Sequence, residues 1–134
     1  METNHGTFRD LALGWEEATA RLPKALADEG FGVVTTIDLK QTFAAKLGVE
    51  HRRYTIFGAC NPRFAHDAIQ RDPTIGVLLP CNVVLYEKDD GKVVLGAIDP
   101  MQSLGRGALE PMAEVAREVG ARLGRVIDAM SGAR

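Results

Sequence analysis

The chain has 134 residues, with 16 Lys and Arg against 18 Asp and Glu, 46% hydrophobic residues and 25% charged ones. These are ordinary values for one globular domain, and a chain near this size buries on the order of 70% of the surface it exposes when unfolded. They exclude a basic chain held to nucleic acid by counterion release, an acidic disordered tail and a disulfide-dense or collagen-like scaffold.

The first fifteen residues carry Glu2, His5, Arg9 and Asp10 and no apolar run of signal-peptide length. No stretch approaches the ~18 consecutive apolar residues of a membrane span. A cytoplasmic chain is expected, with no membrane or nucleic-acid partner and with its two cysteines, Cys60 and Cys81, reduced. No repeat or long linker divides it. Residues 1–134 are read as a single domain, a body over about 5–100 followed by an amphipathic helix over about 108–130.

Residues 5–13 read as a first, rather polar strand. Trp15, Ala18, Leu22 and Leu26 recur at three- and four-residue steps and predict a helix from Trp15 to Glu29, closed by Gly30. Pro23 lies inside it and predicts a kink or a restart, because proline removes an amide donor and crowds the preceding turn. Phe31 to Ile37, rich in β-branched residues, reads as a strand. Asp38, with Gln41 three residues on, has the capping-box pattern of a helix start. The helix from Leu39 to Leu47 is expected to bury Leu39, Phe43 and Leu47.

Arg53 to Ala59 alternates as a strand, with Tyr54 and Ile56 on one face and Thr55 and Phe57 on the other. Asn61 is a cap and Pro62 an N1 residue for a helix with Phe64, Ala65, Ala68 and Ile69 as its apolar face. Asp72-Pro73 stops it. Ile75 to Leu79 and Asn82 to Glu87 read as one strand broken at Pro80, or two short ones. Asp89-Asp90-Gly91 is a turn, and Lys92 to Ile98 returns antiparallel. Asp99-Pro100 and Gly105-Arg106-Gly107 mark a loop. Leu109, Met112, Val115, Ala116, Val119, Leu123, Val126, Ile127 and Met130 form one long stripe on the last helix. The resulting fold class is α+β. A mixed, largely antiparallel sheet carries helices on one face, in the order β-α-β-α-β-α-β-β-α.

Several segments resemble a bacterial and archaeal family, domain of unknown function 302. They are Glu29-Gly30-Phe31-Gly32, Ile37-Asp38, Gly58-Ala59-Cys60-Asn61-Pro62 with Ala65 and Ala68, Asp72-Pro73, Leu79-Pro80-Cys81-Asn82-Val83 and Asp99-Pro100. The resemblance covers most of the chain. It implies a small α+β domain, dimeric, with no settled biochemical function. Pro23 departs from the helix-forming residue expected at that position.

The residues singled out for binding are Cys60, Asn61, Pro62, Pro80, Cys81 and Asn82. Cys60 precedes a helix start, where unpaired amides and the helix dipole favour an anion or a thiolate. A crossover through that helix would return Cys81 close to it. Two thiols can exchange with a disulfide or hold a soft metal, and they are equally the small buried hydrophobes that free cysteines usually are. Cys60 and Cys81 are too few for a closed zinc site, and the possible third donor, His66, falls on the polar side of its helix. Asn61 and Pro62 are also explained as cap and N1, and Asp38 as a cap. Arg52-Arg53-Tyr54 reads as a solvated strand end.

No phosphate loop, dinucleotide fingerprint or nucleophile elbow occurs, and no cofactor or catalytic residue is assigned. Three classes of function remain. One is a non-enzymatic homodimer binding a small ligand or protein partner at the two Cys-containing segments. The second is a thiol-dependent redox or soft-metal-handling protein, and the third a structural dimer module. The length of the last stripe favours a second copy packed on part of it.

Overall fold

The computed structural model describes residues 1–3, 5–103 and 106–132, with side chains given outside 102–112. Five strands form one sheet in the order β1-β5-β4-β3-β2, and every pairing is antiparallel. The strands are β1 (Gly6–Leu11), β2 (Gly32–Asp38), β3 (Tyr54–Cys60), β4 (Cys81–Glu87) and β5 (Val93–Ile98). The helices are α1 (Trp15–Asp28), α2 (Leu39–Leu47), α3 (Pro62–Arg71), the short α4 (Pro100–Ser103) and α5 (Arg106–Met130). The expected order is present, with α4 and a 3₁₀ segment as additions.

Strand alternation sorts the side chains. Leu95 faces Leu85, and Ala97 faces Val83 and then Phe57 across the register. All five are buried, together with Leu22 and Leu26 of α1 and Leu123, Val126 and Ile127 of α5. The same alternation turns a cross-strand row to the other side: Phe8, Gly96, Val84, Ile56 and Ile37. There Phe8, Val84 and Ile56 are half-buried and Ile37 is exposed.

The caps follow the local sequence. Asp38 Oδ1 accepts from the Gln41 amide at 3.1 Å, and Asn61 Oδ1 accepts from Arg63 N at 3.1 Å and Phe64 N at 3.2 Å. Gly30, at φ 88°, takes the left-handed conformation that closes α1. Gly58 is required for a different reason. A Cβ there would overlap the Thr35 hydroxyl and lie 2.7 Å from Pro80 Cγ.

Three expectations are corrected. Helix α1 is one uninterrupted element with Pro23 inside it and exposed, so the helix does not restart. Buried Leu22 and Leu26 on either side anchor it to the core, and tertiary burial outweighs the missing amide. Helix α2 buries no residue. Leu39 and Phe43 are half-buried and Leu47 is 68% exposed, because α2 packs at the end of β3, away from the main core. The segment Pro73–Leu78 is a 3₁₀ helix rather than a strand. The Asp72 side chain accepts from Thr74 N at 3.0 Å, and Pro73 supplies a φ already suited to a helical start. An apolar run this short has no periodicity that separates the two.

The long stripe of α5 packs inward over the part whose side chains are described. Ala116, Val119, Leu123, Val126, Ile127 and Met130 are all buried within the chain itself, so this part of the stripe is spent on its own sheet. The side chains of the predicted stripe positions Leu109 and Met112, and the loop residue Gly105, lie outside what the structure describes.

Replacing Leu123 with Ala should cost about 2–5 kcal/mol in a denaturant titration, as a buried leucine leaving a cavity does. Gly58→Ala should cost about 1–3 kcal/mol through overpacking. A loss within ~0.5 kcal/mol of zero at Gly58 would show that Thr35 and Pro80 can yield.

Candidate functional site

A cavity of about 410 Å³ opens where the ends of β3 and β4 meet α3, the 3₁₀ segment and α5. The antiparallel β3–β4 pair builds its floor. In that register Cys81 stands opposite Ala59, one residue from Cys60. The intervening chain rises from the sheet as α3, turns through the 3₁₀ segment and re-enters at the Leu79–Pro80 bond, which is cis.

Small side chains leave the space. Ala59 on β3, Ala65 and Ala68 on α3 and Ala116 on α5 all line the cavity. Phe64, Ile75, Leu79 and Val119 complete an almost wholly apolar wall. At the mouth, Val34, Ile69 and Leu78 are 59%, 40% and 45% exposed. Among the described residues no buried side-chain nitrogen or oxygen lacks a hydrogen-bond partner.

Four of the six expected binding residues line this cavity: Cys60, Asn61, Pro80 and Cys81. Pro62 is exposed at the first position of α3. Asn82 is exposed and lines a different groove, on the opposite side of the sheet with His5, Phe8, Tyr54 and Val84. Strand alternation separates it from Cys81. Asn61 spends its acceptor on two α3 amides, so the donors that would have held an anion are already bonded.

Cys60 and Cys81 are unbridged and partly buried. Burial, and after it the neighbouring Cys60, push the Cys81 thiol up to about 11. At neutral pH Cys81 is therefore a thiol, the weak partner in disulfide exchange. His66 is exposed on α3, 3.4 Å from Gln70. Among the described residues no three His, Cys, Asp or Glu side chains are grouped to hold a metal ion. The basic pair is engaged: Arg52 Nε bonds Asp89 at 2.9 Å, and the Arg53 guanidinium sits 5.8 Å from the Trp15 ring centroid.

Sequence reasoning missed the contributions of Val34, Ile75, Leu78 and the α5 residues Val115, Ala116 and Val119. The usable signal was the alanine set 59, 65 and 68, too small for a closed helix–sheet contact.

An open antiparallel sheet with a cavity under its crossover helix defines a small α+β domain, and comparison with known proteins places it. Residues 9–130 match the family "Domain of unknown function DUF302", and the chain belongs to that family. It is similar to an uncharacterized protein of Aquifex aeolicus (strain VF5), with 28% identity over 105 residues, 78% of this chain and 66% of that protein. The crystal structure of an uncharacterized conserved DUF302 protein from Bacillus stearothermophilus superimposes with a TM-score of 0.86. It is 26% identical, over 94% of this chain and 98% of that one. Among the described residues no helix is long and apolar enough to cross a membrane.

The raised Cys81 value has a measurable consequence. The folded chain keeps a proton that the unfolded chain, with an ordinary thiol near 9.0, releases. The stability this contributes is complete below about 9 and is lost as pH rises toward about 11. In denaturant titrations across that window, Cys81→Ala should lose less stability with pH than the wild type. In a Cys60→Ser background, which removes the lesser of the two causes, alkylation of Cys81 should still reach half its limiting rate well above 9.0, the ordinary thiol value. A midpoint at the ordinary thiol value would contradict the buried placement.

Proposed function

We propose that the chain acts as one domain, a non-enzymatic cytosolic homodimer that binds a small apolar ligand in the cavity bordered by Cys60, Asn61, Pro80 and Cys81. The observation that carries this reading is the cavity. Its volume of about 410 Å³ falls within the roughly 300–1,000 Å³ of small-molecule sites. Its walls are apolar, and its polar groups are already satisfied from within the chain. A ligand that buries hydrocarbon or an aromatic ring gains about 25 cal/mol for each Å² removed from water. A strongly polar ligand would find few partners. The unbridged thiols suit a reducing compartment. Pro62 and Asn82 serve this reading as helix start and strand residue rather than as contacts.

Thiol chemistry is the second reading, favoured by the placement of both sulfurs on one cavity. It requires a thiolate, and the raised Cys81 value opposes one there.

The two readings separate in one experiment. Nile red, a neutral apolar dye, is titrated into wild type, the double variant Cys60→Ser/Cys81→Ser, and the cavity-filling Ala65→Trp. Apolar binding predicts saturable one-to-one fluorescence in wild type, retention in the double variant and a loss of about tenfold or more in affinity with Ala65→Trp. Loss in the double variant with the fold intact would favour the thiol reading. No saturable binding in wild type would leave the structural dimer module as the better description.

A further inference from the structure

The apolar lining of the cavity does not end at its mouth. Val34 of β2, Ile69 of the last turn of α3 and Leu78 of the 3₁₀ segment line the cavity and are exposed to solvent. Val77, the neighbour of Leu78, is 88% exposed. Eight large hydrophobic residues are exposed among the described residues, and half of them stand at or beside this one opening. Exposed apolar residues scattered singly need no explanation, whereas a group of them rimming a cavity marks a binding surface.

Inside, the wall suits aliphatic carbon better than a ring. Phe31 and Phe64 are the aromatic residues among those that line it. The Arg122 guanidinium lies 5.2 Å from the Phe64 ring centroid, so one face of that ring is taken. A flat ring entering the cavity finds little to stack against. A methylene chain needs only close contact with alanine, valine, leucine and isoleucine.

The wall asks for no polar group either. Among the described residues no buried side-chain nitrogen or oxygen lacks a hydrogen-bond partner, and Asn61 Oδ1 already accepts from two amides of α3. A polar head drawn inside would lose its water and gain few bonds. Outside, Asp67 and Arg71 flank Ile69 on α3 and bond each other at 3.2 Å, so that pair leaves no net charge beside the mouth to select a head.

We infer that the ligand is a single straight hydrocarbon chain with one polar end: the chain fills the cavity and crosses the rim of Val34, Ile69 and Leu78, and the polar end stays in water. This assignment rests on the apolar-cavity reading above and names the class of its ligand. A compact molecule would sit within the cavity and leave the rim wet. A chain covers both, because it can outgrow the cavity in length without growing in cross-section.

The test uses the full chain and isothermal titration calorimetry, with straight-chain carboxylates from octanoate to tetradecanoate below their micellar concentrations. Affinity should rise by up to about fourfold per methylene, less what ordering the chain costs, and should still be rising at tetradecanoate. Undecanoate and 1-adamantanecarboxylate share a head and a carbon count, and the straight chain should bind about tenfold more tightly or better. Dodecanol should match dodecanoate within about threefold. Val34→Ser and Leu78→Ser alter exposed side chains. Each should weaken tetradecanoate binding by about threefold or more, with octanoate binding and the circular dichroism spectrum unchanged.

Adamantanecarboxylate binding as tightly as undecanoate overturns the chain class and leaves the cavity reading standing. Binding of neither the carboxylates nor Nile red overturns both together. A tenfold preference between dodecanoate and dodecanol overturns the solvated head. Rim variants that bind tetradecanoate as wild type does, but fall in mass by light scattering, assign the rim to a second copy of the chain and overturn its role in ligand binding.

Discussion

Leu95 and Leu85 face each other across β5 and β4, and Leu22, Leu26 and Leu123 belong to the same fully buried cluster. This burial of one side of the sheet under α1 and α5 is the constraint on which the remaining structure depends. With a strand period of two, a slip of one residue would turn every leucine and valine of that side into solvent. The register is therefore held by the core and not by any single hydrogen bond. It also decides which residues near the strand ends meet, Ala59 with Cys81 on β3 and β4, and so where a cavity can form.

α3 belongs to this arrangement less tightly than the other two helices. It buries only Ala68, and its remaining apolar side chains border open space. A helix that faces a cavity with alanines forgoes the contacts that leucines would make. The molecule is stable without them because the leucine-rich α1 and α5 hold the centre of the sheet. What α3 leaves is an open recess whose chemistry is set by hydrocarbon and two sulfurs. The Cys-Asn-Pro segment is accounted for within the chain: Cys60 as wall, Asn61 as cap and wall, Pro62 as helix start.

Much of this was legible in the amino-acid sequence. Asp38, Asn61 and Pro62 announced their helix starts correctly, because capping is a local matter of one side chain and the next few amides. Asp89-Asp90-Gly91 marked its hairpin for the same reason. What was not legible depended on neighbours distant along the chain. The Ile75–Leu79 run looked like a strand until Asp72 and Pro73 were seen to bend it, and α2 had an apolar face with nothing to bury it against. The two segments that hold the six chosen residues do converge on one cavity. The six were mixed in detail, since a sequence brings Cys81 and Asn82 forward together while a pleated strand sends them to opposite sides. The apolar character of the cavity came from residues spread over most elements of the fold, which no short motif spells out.

Gly58 lies on β3 between Thr35 of the outermost strand and Pro80 at the cavity wall, and each occupies the room its missing side chain would need. This makes the residue a shared bearing surface. A side chain larger than hydrogen at this position would press on the edge strand and on the wall of the recess together. A glycine that reads as a weakness in the middle of a strand is in this fold the point at which two parts of the molecule are fitted to one tolerance.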